Sequence, residues 1–175
     1  MKNIFLTLTL FFATALSAQV AIGKTSISSP AVSLEFYDNA DNTRGIILPW
    51  VTNTAAVTGA VNGTLVYNTA DKKIYLKYAS GWRDLSVDNT GAVNTTLQDS
   101  LTDQDSAKVL IGGDPATDTT PGILVLADTN KAMVLPKVVS PHLNIVNPSP
   151  GMMVYDTTKK QLAVFNGTVW SFWKP

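Results

Sequence analysis

Two stretches of this chain, about 88 residues apart, carry nearly the same sequence, and this repetition constrains the fold more than any other feature. The correspondence continues to the end of each stretch, where Trp82 matches Trp170. Such repetition predicts one structural unit built twice. The matching motifs are 20–23 (VAIG) with 109–112 (VLIG), 45–49 (GIILP) with 132–136 (AMVLP), and 63–69 (GTLVYNT) with 151–157 (GMMVYDT).

The first residues have the pattern of a secretory signal peptide. Lys2 precedes an apolar run over 4–12, and small residues follow the run. The run is shorter than the roughly 20 residues that a membrane span needs. We expect cleavage after Ala18, with Ala15 as the alternative site and an uncleaved anchor as a further alternative. The prediction is a secreted protein of the periplasm, the outer cell surface or the extracellular space.

The remaining chain divides into three parts. We predict β repeat unit 1 at 19–87, a polar linker at 88–108 and β repeat unit 2 at 109–175, because the linker is rich in Asp, Asn, Thr, Ser and Gln. The chain contains no cysteine, so neither disulfides nor thiolate metal sites can stabilise units this small. Packing between the units, or self-association, must stabilise them instead.

Composition and turn signals predict an all-β fold. Glu35 is the only glutamate, whereas aspartate, asparagine and threonine are abundant, which is typical of turns and strands. The clearest element is a hairpin, in which 65–67 returns as 74–78 after a turn at 68–71. A third strand starts at Gly81, and unit 2 repeats the design. Each unit is therefore predicted to close as a small three-stranded β-meander.

Several predicted strands are apolar at every position, which indicates cover on both faces. A unit this small cannot wrap both faces itself, so the cover comes from the other unit or from another copy of the chain. We therefore expect a homo-oligomer. The 13 basic and 13 acidic residues balance and form no basic stripe, which argues against nucleic acid or anionic membranes as partners. The apolar strands are 46–48, 65–67, 133–135 and 152–155.

The residues offer little for catalysis or metal binding. His142 is the only histidine, it follows Pro141 in a loop-like stretch, and no G-x-S-x-G motif accompanies it. Oxygen-rich runs at 38–42 and 99–105 match no complete calcium loop and are interpreted as turns. We predict no catalytic residue, no metal site and no cofactor, and a hydrolase using scattered aspartates is a distant alternative.

Aromatic side chains support one binding hypothesis. Tyr75, Tyr78 and Trp82 lie close together on the first meander, and rings flanked by polar groups can stack on sugars. The competing interpretation is that Trp82 and Trp170 close the cores of their units. A monomeric carbohydrate-binding module is thus the main alternative to a structural protein.

The motifs at 44–49 (RGIILP), 63–69 and 73–82 resemble a repeat of secreted Bacteroidota proteins. The hairpin is also similar to segments of phage tail-fibre proteins, in which small β modules assemble as trimers. Unit 2 departs from the repeat at Lys131 and Ala132, where unit 1 has Arg-Gly. The resemblance implies an exported, fibre-like surface protein, with a trimer as one candidate state.

The same resemblance implies O-glycosylation at Asp-Ser and Asp-Thr motifs followed by a small or apolar residue. Ser100 and Ser106 lie in the linker, and Thr119 lies in a predicted loop of unit 2. A fourth match, Thr157, falls in a hairpin turn and is a weaker candidate. We predict a non-catalytic, secreted structural or adhesive protein that assembles through its β repeats, with a surface glycan or protein as its partner.

Overall fold

The computed structural model describes residues 19–102, 104 and 106–174, so the predicted signal peptide at 1–18 lies outside the described residues. The all-β prediction is confirmed, since regular structure in these ranges is almost entirely strand. One 3-10 turn spans Thr54–Ala56, and one helical turn, α1, spans Pro141–Asn144. Within the described ranges, no helix has the length and hydropathy to cross a membrane.

The described residues form fourteen strands, seven in each unit. Those of unit 1 are β1 (Val20–Ile22), β2 (Val32–Phe36), β3 (Ile46–Ile47), β4 (Trp50–Val51), β5 (Leu65–Asn68), β6 (Lys73–Tyr78) and β7 (Gly81–Asp84). Those of unit 2 are β8 (Val109–Ile111), β9 (Leu124–Leu126), β10 (Ala132–Val134), β11 (Lys137–Val138), β12 (Met152–Asp156), β13 (Gln161–Phe165) and β14 (Trp170–Trp173).

The predicted three-stranded meander of unit 1 is formed by β5, β6 and β7, and the unpredicted strand β4 extends it to a sheet of order β4-β5-β6-β7. Strand β4 runs parallel to β5, with Trp50 opposite Tyr67, and the other neighbours are antiparallel. The turn after β5 forms because the Asn68 side-chain oxygen accepts a hydrogen bond from the Ala70 amide at 2.9 Å. Lys72 then takes a left-handed φ of 61° and returns the chain.

Unit 2 repeats this arrangement in the order β11-β12-β13-β14. Strand β11 is parallel to β12, and the remaining neighbours are antiparallel. At the hairpin turn, Asp156 accepts a hydrogen bond from the Thr158 amide at 2.9 Å, and Lys160 has a φ of 55°. The two meanders therefore share strand order, pairing direction and turn geometry.

Two short strands cross from one unit to the other. Strand β3 of unit 1 pairs antiparallel with the edge of β12, with Ile47 opposite Met152. Strand β10 of unit 2 pairs in parallel with β2, with Met133 opposite Leu34, and completes a sheet of order β1-β2-β10. The parallel pair β8-β9 forms a separate small sheet. The two units are thus interleaved.

The main core combines side chains from both meanders, whereas a second core lies within unit 2 alone. Val66 and Met153 are each 3% exposed, which agrees with the predicted cover on both faces of β5 and β12. Ile47 on β3 is 50% exposed, because this two-residue strand lies at a sheet edge. The main core contains Leu48, Tyr67, Ile74, Leu85, Met153 and Val164, and the second contains Val138, Ile145, Met152, Val154, Ala163 and Phe165.

Candidate functional site

The three aromatic residues of the predicted platform do not share one face. Tyr75 and Trp82 lie on one face of the first meander, because Trp82 is opposite Lys77 in the strand register. Tyr78, which is 44% exposed, lies on the other face. The Tyr75 hydroxyl donates a hydrogen bond to Asp71 at 2.6 Å, and burial together with this bond raises the pKa of Tyr75. The structure therefore does not bring the three rings together as one stacking surface.

Trp82 and Trp170 occupy different surroundings. Trp82 lies beside a shallow depression of about 180 Å³ at the β6–β7 turn, with the Lys77 ammonium 5.8 Å from its ring centroid. Trp170 packs against the second core, 5.2 Å from the ring of Phe165. The core-closing interpretation thus describes Trp170 better than Trp82.

The predicted modification sites are accessible. Ser100, Ser106 and Thr119 are all exposed, although Asp105, the acidic residue before Ser106, lies outside the described residues. His142 lies on α1, and its ring makes an edge contact with Phe172 at 5.6 Å. In the part of the chain that is described, no three side chains of the metal-binding types come together.

A groove of about 570 Å³ opens at the end of the sheet β1-β2-β10. Ile22, Phe36 and Pro136 line its apolar wall, and Asp41 and Arg44 contribute its charges. The Asp41 carboxylate already accepts a hydrogen bond from the Tyr37 hydroxyl at 2.8 Å. The groove combines an apolar wall with two opposite charges and lacks a paired acid and base.

The loop after β1 and the end of β2 hold a cluster of charged side chains around one buried carboxylate, Glu35, which the sequence did not reveal. Glu35 is fully buried, pairs with the Lys24 ammonium at 3.0 Å and accepts a hydrogen bond from the Ser28 amide at 2.7 Å. Burial raises the pKa of Glu35, but these two partners outweigh it and hold the pKa below the ordinary 4.5. Hydrogen bonds from Lys137 and Lys24 lower the pKa of Asp38. Because Asp38 and Lys137 belong to different units, the cluster joins them.

The two meanders also contact each other directly, through a surface of side chains and backbone groups from both units. The Tyr67 hydroxyl donates a hydrogen bond to the Asn166 carbonyl at 2.8 Å, and the Trp50 indole donates to the Pro150 carbonyl at 3.0 Å. Gly151 allows this close approach, because a Cβ there would lie 2.9 Å from the Tyr67 Cβ. Burial raises the pKa of Tyr67 to about 12. We call this surface the intrachain contact.

The chain that leaves unit 1 extends this contact. The Asn166 amide donates to Asp88 at 3.1 Å, and the Thr168 hydroxyl donates to the Thr90 carbonyl at 2.9 Å. At Gly167, an added Cβ would lie 1.8 Å from the Ala92 carbonyl oxygen. The first residues of the predicted linker therefore lie against unit 2, whereas most of 94–108 is exposed.

The sequence prediction missed the strand crossings that interleave the units. The only available signal was the recurrence of GIILP as AMVLP, which are the segments containing β3 and β10. Two-residue and three-residue strands have no periodicity of their own, so their partners are set by tertiary contacts.

Comparison with protein families gives one match. Residues 114–174 match the family described as a phage tail like trimerisation region. This range holds β9 to β14, the greater part of unit 2, and covers less than half of the chain. Neither the curated proteins nor the solved structures gave a match. The tail-fibre part of the predicted resemblance is thus supported for unit 2.

Proposed function

We propose that the protein is a non-catalytic structural component that assembles as a homotrimer through unit 2. The observation that carries this proposal is the match of 114–174 to a phage tail like trimerisation region. The matched residues include the complete second meander, so they correspond to one structural unit. Trimeric, fibre-like assembly is what a module of this kind would contribute.

The surface of the chain agrees with assembly. Large apolar side chains on unit 2 and at its borders remain exposed in the single chain, although a soluble monomer rarely exposes contiguous apolar patches. Exposed side chains on the short strands lie beside unpaired strand edges, where another chain can add. The exposed residues of this kind include Ile47 (50%), Val109 (57%), Ile123 (64%) and Leu124 (47%).

Light scattering coupled to size-exclusion chromatography tests the proposal. We expect a mass three times that of the single chain, constant over a wide range of protein concentration. A concentration-independent monomer would contradict the proposal and would make the carbohydrate-binding alternative the better one. Glycan binding by such a monomer, lost on Tyr78→Ala, would then identify the ligand class.

Export and surface location form a second part of the proposal. Their support is the signal-like pattern of Lys2 and the apolar run at 4–12, together with the exposure of Ser100, Ser106 and Thr119. We propose a secreted protein with a structural or adhesive role, O-glycosylated at these positions. Intact mass of the protein from its native host should show a chain beginning at Gln19 and carrying sugar. An uncleaved chain would contradict export, and an unmodified mature mass would contradict glycosylation.

A further inference from the structure

We propose that copies of the chain join head to tail, so that unit 2 of one copy docks on unit 1 of the next with the same geometry as the intrachain contact. This inference rests on the homo-oligomer proposed above and names the surfaces that form it. In the intrachain contact, one surface of unit 1 meets one surface of unit 2. The counterpart of each surface on the other unit has no partner among the described residues, so these two counterpart surfaces could meet between two copies.

The direction of the intrachain contact is fixed by its hydrogen bonds. Unit 1 contributes the Leu48 amide, which donates to the Gly151 carbonyl at 3.0 Å, and the Tyr67 hydroxyl, which donates to the Asn166 carbonyl at 2.8 Å. In these two bonds unit 2 contributes the acceptors. Because the meanders have the same geometry, the corresponding donors of unit 2 are Leu135 and Tyr155, and the corresponding acceptors of unit 1 are the carbonyls of Gly63 and Tyr78.

The exposure of the corresponding side chains agrees with this proposal. Tyr67 is 0% exposed, whereas its counterpart Tyr155 is only partly buried. On the acceptor side the difference is reversed, since Asn166 is 1% exposed and its counterpart Tyr78 is 44% exposed. Each unit thus buries the half of its surface that the other unit covers and leaves the opposite half open.

Strand edges that would form the interchain contact are likewise unpaired in the single chain. Within the chain, β3 pairs with β12 over Ile46 and Ile47. By correspondence, β10 of one copy would pair with β5 of the next, with Val134 opposite Thr64. In the single chain, β10 lies at the edge of its sheet. The Lys77 amide of β6 donates to the Thr64 carbonyl at 2.9 Å, and no described strand pairs with Thr64 on its other side.

A second pair of edges completes the contact. Within the chain, β2 pairs in parallel with β10, and the counterpart of β2 in unit 2 is β9. Strand β9 would therefore pair with β3 of the next copy and bring Leu124 opposite Ile46. Both partners now lie at open edges, with Leu124 47% and Ile47 50% exposed. Docking would bury these apolar side chains and satisfy the edge amides and carbonyls.

Such an interface is heterologous, because different surfaces meet. Heterologous contacts produce closed rings when the rotation closes and open filaments when it does not. Three copies would place six meanders in a ring, with intrachain and interchain contacts alternating. The trimer proposed above is the closed form of this arrangement.

Paired cysteines test the register directly, since the chain has no cysteine of its own. The double variant Thr64→Cys/Val134→Cys places thiols across the proposed interchain pair. The matched control, Ile47→Cys/Met152→Cys, places them across the intrachain pair of the same type, and the Leu48-to-Gly151 bond makes this a non-hydrogen-bonded pair with close side chains. Both are oxidised in the native assembly and separated on denaturing gels without reductant.

We expect the control to remain a monomer on the gel and the test variant to give covalent dimers and trimers that reductant removes. If the native mass is trimeric but the test variant forms no intermolecular disulfide while the control oxidises, the chain assembles through another surface and only this inference is overturned. A native mass that stays monomeric overturns the proposed function as well.

A second variant probes the same interface without a disulfide. Leu124→Glu changes a side chain that is 47% exposed in the single chain, so the fold of each copy should persist. We expect it to raise the dissociation constant of the oligomer at least tenfold. The control Leu97→Glu changes a linker side chain that is 81% exposed and should leave the dissociation constant unchanged. Equal dissociation constants for the two variants would overturn the inference.

Discussion

Replacing Gly167 by alanine tests whether the first residues of the linker are part of the folded structure. Gly167 has a φ of +102°, and an added Cβ would lie 1.8 Å from the Ala92 carbonyl oxygen. This distance cannot be accommodated, so the segment around Ala92 must move away. The control is Gly81→Ala in the β6–β7 hairpin of unit 1, two positions after the counterpart of Gly167, where φ is +133° and an added Cβ meets no atom within 4 Å.

The difference between the two variants can be worked out from the contacts. Both lose about 1 to 3 kcal/mol because alanine is strained at positive φ. Gly167→Ala additionally breaks the bonds from Asn166 to Asp88 and from Thr168 to Thr90. Each such hydrogen bond contributes about 0.5 to 1.5 kcal/mol. We therefore expect Gly167→Ala to lower the free energy of unfolding by about 1 to 3 kcal/mol more than Gly81→Ala does.

Urea unfolding followed by tryptophan emission measures this difference, at one protein concentration because association contributes to stability. Light scattering should first show that both variants keep the native mass of the parent. Protease cleavage within 88–108 should also become faster in Gly167→Ala. Equal losses of stability in the two variants would refute the argument that the linker is packed against unit 2.

Three further substitutions probe the cores and the buried ionisable groups. Tyr67→Phe should lower the free energy of unfolding by about 1 to 3 kcal/mol at neutral pH, measured by urea unfolding. Folding raises the pKa of Tyr67 from 10.0 to about 12, so the parent should lose stability as pH rises through this range, whereas the variant should not. Glu35→Gln should flatten the acid limb of a thermal unfolding series, because the lowered pKa of Glu35 stabilises the parent above pH 4.5 and this contribution is lost as pH falls below it. Ile74→Ala should lower the free energy of unfolding by about 2 to 5 kcal/mol in the same urea assay. The control Leu143→Ala changes a side chain that is 73% exposed and should lower it by less than about 0.5 kcal/mol. Equal losses of stability would contradict the assignment of Ile74 to the core.

The local elements of the fold could be predicted because their signals are local. Asn68 and Asp156 each bond to an amide two residues ahead, and this chemistry marks the hairpins in the sequence. The apolar runs at 65–67 and 152–155 likewise predicted buried strands. What joins the units depends on partners distant in the chain, such as Tyr67 with Asn166, and a single sequence carries no signal for such pairs.

The candidate sites also divide into features that local sequence predicts and features that depend on distant partners. The separation of Tyr75 from Tyr78 follows from strand alternation, since an odd spacing places two side chains on opposite faces. The burial of Glu35 could not be predicted in this way. Its partners, Lys24 and the Ser28 amide, come from the loop between β1 and β2, whose path is not coded by any periodic pattern.

The pairing of β2 with β10 also sets the order in which the chain can acquire its structure. Val32 is opposite Ala132, so β2 has no neighbour on that edge until the ribosome has synthesised unit 2 as far as β10. At about 5 to 20 residues per second, this interval lasts about 5 to 20 seconds. Throughout it, the emerging chain exposes an unfilled apolar edge, and such contacts between distant segments form slowly. A fragment that ends before β10 therefore cannot complete the sheet β1-β2-β10.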